Sequence, residues 1–443
     1  MKDLTKGKPS VLILTFALPI FLANLLQLTY SIVDTRIVGT FLGENMLAAV
    51  GATTTLSNLI IGFLLGLSNG FAIVTAQKFG AKDIRAVKKS FATAIILGVL
   101  TALVLTVVGL VFLHPILRFL NIPDELFKES ASYISVIIAG LLATFLYDIC
   151  AAVLRAIGDT ITPLIILAIS VVLNVAGDIF FVVIVKAGVR GAAVATVLAQ
   201  LIAFVVCAFY MVKKYDILRL SRTDFKGMES AMVKNMLGGG LSMGFMSSLV
   251  NIGSLTLQTA INKLGQDIIV AHTAARKISE IFMVMFTVFG QTMATYCGQN
   301  IGAGKVDRVK KGIRLSILYT CIWCTLVIIA SYTIGGWLVY LVTGSSNDAV
   351  IVNATNYLKF DTIFYYVTAV ICIVRNAMQG LGEHITPLIS SSLEMIGKII
   401  IAATLVPVMG YTGVIIAEPL VWFIMVIPLI VKIYRMPVLK ESR

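Results

Sequence analysis

Asn174 and Asp178 stand four residues apart inside a run that is otherwise apolar from Leu164 to Val185. On a helix that spacing places both on one face. A carboxylate at the centre of a membrane helix costs about 2.5–3.5 kcal/mol on the insertion scale, so such residues usually have a use. Two uses fit: an ion or proton site, or a polar pair that staples two helices. Asp34 closes an earlier apolar run, either as an interfacial carboxylate paired with Arg36 or, because Ile37–Leu42 continue apolar, as one held below the headgroups. Thr196 and Gln200, again four apart, add neutral oxygens. Carboxylate and amide oxygens gathered in a dry site raise one another's proton affinity and suit a hard monovalent cation. A proton or a sodium ion therefore fits Asp34, Asn174 and Asp178.

Other polar residues within apolar runs have simpler readings beside the functional one. Asp148 has Tyr147 next to it and Arg155 two turns on, so a salt bridge competes with a role in transport. Glu394 and Lys398 are four apart and pair most simply with each other; a place in a substrate cavity is the other reading. Glu280 follows Arg276 at the same spacing, and Glu418 directly precedes Pro419. Pro19 lies mid-run and should bend its helix, whereas Pro163 and Pro387 suit a first helical turn. His114, His272 and His384 are scattered, and Cys321-x-x-Cys324 has no second pair, so no metal centre or nucleophile cluster is expected. An enzyme with a resident cofactor is thereby disfavoured.

The elements that must carry these residues are membrane helices. Of 443 residues, 58% are hydrophobic and 13% charged, with mean hydropathy +0.97; soluble chains carry about 25% charged residues. Apolar runs long enough to span predict twelve helices near 11–36, 46–76, 91–118, 131–156, 162–186, 190–212, 235–260, 269–298, 313–342, 354–379, 386–408 and 411–433. The first follows Lys2, Lys6 and Lys8 without a small-residue cleavage site, so it reads as an uncleaved helix. With the amino terminus in the cytoplasm, cytoplasmic segments hold 25 Lys and Arg and external ones six. That bias supports twelve spans with both ends inside. The net charge of +13 lies in these short loops, which argues against nucleic-acid binding.

The chain is also written twice. Gln77-Lys-Phe-Gly-Ala-Lys-Asp-Ile-Arg-Ala-Val-Lys-Lys89 recurs as Gln299-Asn-Ile-Gly-Ala-Gly-Lys-Val-Asp-Arg-Val-Lys-Lys311, and Gly158-Asp-Thr-Ile-Thr-Pro-Leu-Ile165 as Gly382-Glu-His-Ile-Thr-Pro-Leu-Ile389. Six spans per copy make parallel repeats, an arrangement suited to alternating access. The charged loop 213–234 is the natural join, giving six-helix bundles over 1–220 and 221–443. Asp34, Asn174 and Asp178 align with Thr256, Lys398 and Ala402, so the acid–amide set belongs to the first copy alone. Glu280 and Glu394, aligned with Asn58 and Ser170, belong to the second.

The chain resembles the multidrug and toxic compound extrusion (MATE) family over about residues 8–435. The likeness rests on Val33-Asp34 with Val38-Gly39-x-x-x-Gly43, on Gln77-x-x-Gly80-Ala81, and on Leu154-Arg155-Ala-x-Gly158-Asp159-Thr-x-Thr-Pro163. Leu173-Asn174-x-x-x-Asp178 and Gly188-x-x-Gly191-Ala192-Ala193-x-Ala195-Thr196 complete it. It implies an all-α membrane fold of two six-helix bundles in a V, opening alternately outward and inward. The implied activity is export of amphiphilic, often cationic compounds in exchange for H+ or Na+, by a monomer in the cytoplasmic membrane. By position, Asp34, Asn174, Asp178 and Thr196 would form the cation site of the first bundle, with Pro19 the hinge of its first helix. Asp148, Gln200, Glu280, Glu394 and Lys398 would be accessory. Members with a second-half cation site carry an acid in the seventh span, and Asn251, Gln258 and Asn262 stand there instead. A lipid or lipid-linked oligosaccharide flippase of the wider superfamily is the alternative; it would favour a strongly cationic cavity built on Arg276, Lys277 and Lys398.

Overall fold

Backbone groups in hydrocarbon have no water to bond, so a chain this apolar satisfies them within helices. The computed structural model describes residues 2–344 and 347–440, and these are helical nearly throughout. The first copy comprises α1 (Pro9–Leu42), α2 (Glu44–Gly80), α3 (Ile84–Val111), α4 (Leu113–Phe119), α5 (Asp124–Ala139), α6 (Leu141–Ala156), α7 (Ile161–Asp178) and α8 (Gly188–Lys214). The second comprises α9 (Ser230–Ile261), α10 (Gln266–Gly302), α11 (Val306–Thr333), α12 (Gly335–Thr343), α13 (Asp348–Ile363), α14 (Tyr365–Gly380), α15 (Ile385–Met409) and α16 (Tyr411–Arg435), before a last turn α17 (Pro437–Lys440). Ten of the described helices are long and apolar enough to span a membrane, and two bent pairs bring the number to twelve.

The bent pairs depart from the expected continuous spans at 131–156 and 354–379. α5 and α6 meet at Gly140 with a bend of 46°, and α13 and α14 meet at Phe364 with one of 54°. At Gly140 a Cβ would lie 2.3 Å from the Val197 side chain, so the break lets α8 come in close. The two copies share their backbone punctuation. Positive φ recurs at Gly43 and Gly265, at Gly158 and Gly382, and at Gly188 and Gly410. Asp159 and Glu383 each accept from a Thr three residues on, Thr162 and Thr386, at the starts of α7 and α15.

One feature breaks the match. α7 passes at Asp178 into a π-helical turn, Ile179–Ile184, whereas α15 runs on as α-helix to Met409. Between the matched prolines and glycines the first copy is two residues longer (Pro163 to Gly188 against Pro387 to Gly410), and the excess lies in the non-helical stretch 185–187 after the π-turn, where α15 runs directly to Gly410. π-turns within α-helices are rare and frequent at functional sites.

The described chain divides into two compact units, Leu18–Gly244 with the first residues of the chain, and Thr5–Ala17 with Phe245 onward. The division at Gly244 falls inside α9, whose start packs closely on α2. Cβ atoms on Gly66 and Gly70 of α2 would lie 2.5 Å from the Met243 and Gly239 carbonyls, so small residues let these helices touch. α1 likewise changes unit next to Pro19. Each unit has its own core: Leu67, Phe71, Phe145 and Leu154 lie in the first, and Phe286, Tyr357, Tyr365 and Trp422 in the second. All six cysteines are free thiols.

Candidate functional site

The first unit brings Asp34 and Asp178 together. α1 presents Tyr30 and Asp34 one turn apart, and α7 presents Asn174 and Asp178 at the same spacing. Asp178 is fully buried and Asn174 3% exposed. The carboxyl groups of Asp34 and Asp178 meet side chain to side chain. The surrounding hydrogen bonds orient the Asn174 amide. Its NH2 donates to Asp178 Oδ2 (3.0 Å) and to the Tyr30 hydroxyl (2.7 Å), while its carbonyl accepts from Thr196 N (3.0 Å) and Oγ1 (3.1 Å). Asp34 Oδ1 and Asp178 Oδ1 are buried with no hydrogen-bond partner. Tyr133 of α5 is close enough to feel the charge of both acids.

Two carboxylates in contact and out of water do not both keep a negative charge unless a cation lies between them. The arrangement can therefore hold one proton or one small cation and release it when the acids separate or become wet. The donors present are Asp34, Asp178, Thr196 and Tyr30; Asn174 turns its NH2, not its carbonyl, toward the acids. Arg36 is exposed, and Asp34 turns to Asp178 instead of to it. Among the described residues no cluster of three or more His, Cys, Asp or Glu offers a metal site.

The start of α7 is fixed from outside the span. Asp159 accepts from Thr162 N (3.0 Å) and Oγ1 (2.6 Å) and from the Tyr215 hydroxyl (2.5 Å). Burial acts to raise its pKa, but the bonds from Thr162 and Tyr215 outweigh that and hold it below the usual carboxylate range. Burial and the neighbouring Asp159 push Tyr215 up to about 12.

The remaining sequence candidates fall elsewhere. Gln200 lies one turn beyond Thr196 on α8, its Oε1 buried and unpartnered. Asp148 is on α6 beside Tyr147, while Arg155 donates to Asn69 (3.1 Å). Glu394 and Lys398 do pair, at 3.0 Å. Glu280 is exposed and does not take Arg276, which binds Glu418 through both oxygens (2.8 and 2.9 Å). Lys398 also reaches Glu418, at 3.4 Å. Arg276 and Lys398 are thus largely neutralised, and Lys277 is exposed, so these three do not make the strongly cationic cavity that a flippase would favour.

Sequence reasoning missed Tyr30, and it underrated Glu418, whose partner Arg276 lies 142 positions away. It also passed over Asp361 on α13, which is fully buried with both oxygens unpartnered. Tyr357 and Tyr365 one turn to either side are the signal that could have found it.

Twin helical repeats with ten to twelve apolar spans among the described residues define a polytopic membrane protein. The MatE family profile matches the chain twice, over residues 19–180 and 243–404, and the chain belongs to that family. It is 28% identical to the probable multidrug resistance protein YpnP of Bacillus subtilis over 87% of this chain and 86% of that one. It is 24% identical to the multidrug export protein MepA of Staphylococcus aureus, covering 90% and 88%. An outward-facing structure of a multidrug resistance MATE transporter superposes with TM-score 0.91 at 21% identity, over 99% of this chain and 98% of that one. The fold is that of MATE transporters, and the chain is a multi-pass membrane transporter of the multidrug efflux family.

Proposed function

We propose that this protein is a proton-coupled antiporter that exports amphiphilic, often cationic organic compounds from the cytoplasm by alternating access. It acts as a monomer in the cytoplasmic membrane with both termini inside. The observation that carries this reading is the meeting of Asp34 and Asp178 beneath the Asn174 amide. A proton entering from outside is held between the two acids, with Asn174, Thr196 and Tyr30 aligning them, and α1 bends at Pro19 as the pair closes. Release to the cytoplasm lets the acids part and resets the cycle. A proton is favoured because two carboxyl groups in contact can share one directly between their oxygens.

The test is dye efflux from cells that lack their own pumps. Wild-type protein should clear ethidium, a protonophore should abolish the clearance, and replacing external sodium by potassium should leave it unchanged. D34N and D178N should insert normally and clear dye at least tenfold more slowly. Sodium dependence at fixed pH would overturn the choice of ion, and wild-type efflux by D178N would overturn the site.

A further inference from the structure

Three sulfurs meet in the core of the first unit. Cys207 Sγ lies 4.0 Å from the Sδ of Met211, one turn further along α8. The Cys150 thiol of α6 meets the Cys207 thiol side chain to side chain. Both cysteines are free thiols, and all three residues are buried in one apolar cluster. Arg155, near the end of α6, donates to the neutral amide of Asn69 (3.1 Å) and is close enough to feel the charge of Cys207. The group lies near one end of α8, since Lys214 closes that helix three residues after Met211. Tyr215 and Leu218 of the short turn that follows pack into the same cluster.

Two thiolates and a thioether are soft donors, and such a set selects monovalent copper over the hard cations that prefer oxygen. A metal–sulfur bond of about 2.3 Å puts three sulfurs in a trigonal plane about 4 Å apart, which is the separation of Cys207 and Met211. Because the third ligand is a methionine, the group lies outside clusters of His, Cys and carboxylates. Loading replaces two protons. Both S–H bonds break, two thiolate–metal bonds form, the protons leave to water and no electron moves. The product carries one negative charge in an apolar core, and a buried charge needs a partner; Arg155 stands where it can supply one. Asp148 acts on the same guanidinium, and protonation of that acid leaves Arg155 to the thiolates. Entry is through the end of α8 and its short turn, which open at lower cost than the helices behind them.

We propose that Cys150, Cys207 and Met211 form a binding site for a soft monovalent cation, copper(I) or silver(I), that ties α6 to α8. The site is independent of the efflux reading and can be tested without any gradient. Purified full-length protein with reduced thiols would be loaded with silver(I) and dialysed against excess cysteine, which strips ions from lone thiols. Wild type should keep one ion per chain. C150S and C207S should keep none, and M211L, close in volume, should bind at least tenfold more weakly. C324S, which removes a thiol of Cys321-x-x-Cys324 in the other unit, should bind as wild type does. Retention of the ion by C207S, or its loss from C324S, would overturn the proposal. Should the serine variants fail to fold, X-ray absorption of wild type carrying one copper(I) decides. A shell of three sulfurs at about 2.3 Å supports the site, and a shell of two sulfurs or one holding nitrogen or oxygen overturns it.

Discussion

Asn174 is the residue on which the carboxyl pair is hung. It joins α7 to α8 through Thr196 and α7 to α1 through Tyr30, using donor and acceptor together. Replacing it by alanine leaves buried partners unpaired, at about 1–3 kcal/mol. N174A should lower the melting temperature of the purified protein by a few degrees, whereas N174D should retain more stability and change the pH at which transport is half-maximal. Asp34, Asn174, Asp178 and Thr196 were legible in the sequence because polar groups in apolar runs are expensive and therefore rare. Tyr30 was not, since the chain has 14 Tyr and an amphipathic ring in a membrane helix draws no notice. Glu418 was hidden for another reason: its significance lies in partners on α10 and α15, which local spacing does not reveal.

At the scale of elements, α1 and α7 must hold the acids together and then let them part. Pro19 removes one backbone hydrogen bond from the interior of α1, an interruption worth about 3 kcal/mol. P19A should therefore raise thermal stability while slowing dye transport at least tenfold; unchanged transport would show that α1 does not need to bend. The cap at Asp159 gives a pH signature. Its pKa is held below the ordinary value of 3.8, so its contribution is present above that pH and is lost as pH falls through the lower folded value. D159N should thus melt below wild type at pH 7, and the gap should close below about pH 4, as thermal unfolding at the two pH values would show. Spans, loops and the repeat could be read from hydropathy and the spacing of Gly and Thr-Pro signatures. The bends at Gly140 and Phe364 could not, because tertiary packing sets them. The two-residue shift between copies was legible and falls in the linker 185–187, whereas nothing in the spacing marked the π-turn before it.

Across the whole molecule the two repeats keep one scaffold and divide the polar chemistry. The first carries an acid pair with an amide; the second carries an alternating chain of buried charges. Removing Glu418 from such a chain leaves Arg276 without its ion-pair partner, at about 3–5 kcal/mol. E418Q should accordingly destabilise the protein by several degrees in a thermal melt, while the Asp34–Asp178 pair in the other unit should still respond to pH. Unchanged melting would mean that Glu418 does not hold Arg276 and Lys398 in place. That a single family profile matches both copies fits this division, since it registers the shared scaffold and not the polar residues that differ.

The most direct measurement is ethidium uptake by liposomes containing the purified protein. A pH difference would be imposed at equal sodium, and separately a sodium difference at equal pH, for wild type, D34N and D178N. The expected result is uptake driven by the pH difference alone, with both variants at the level of empty liposomes. Uptake driven by sodium alone, or wild-type rates from D178N, would contradict the claim that Asp34 and Asp178 exchange a proton to drive export.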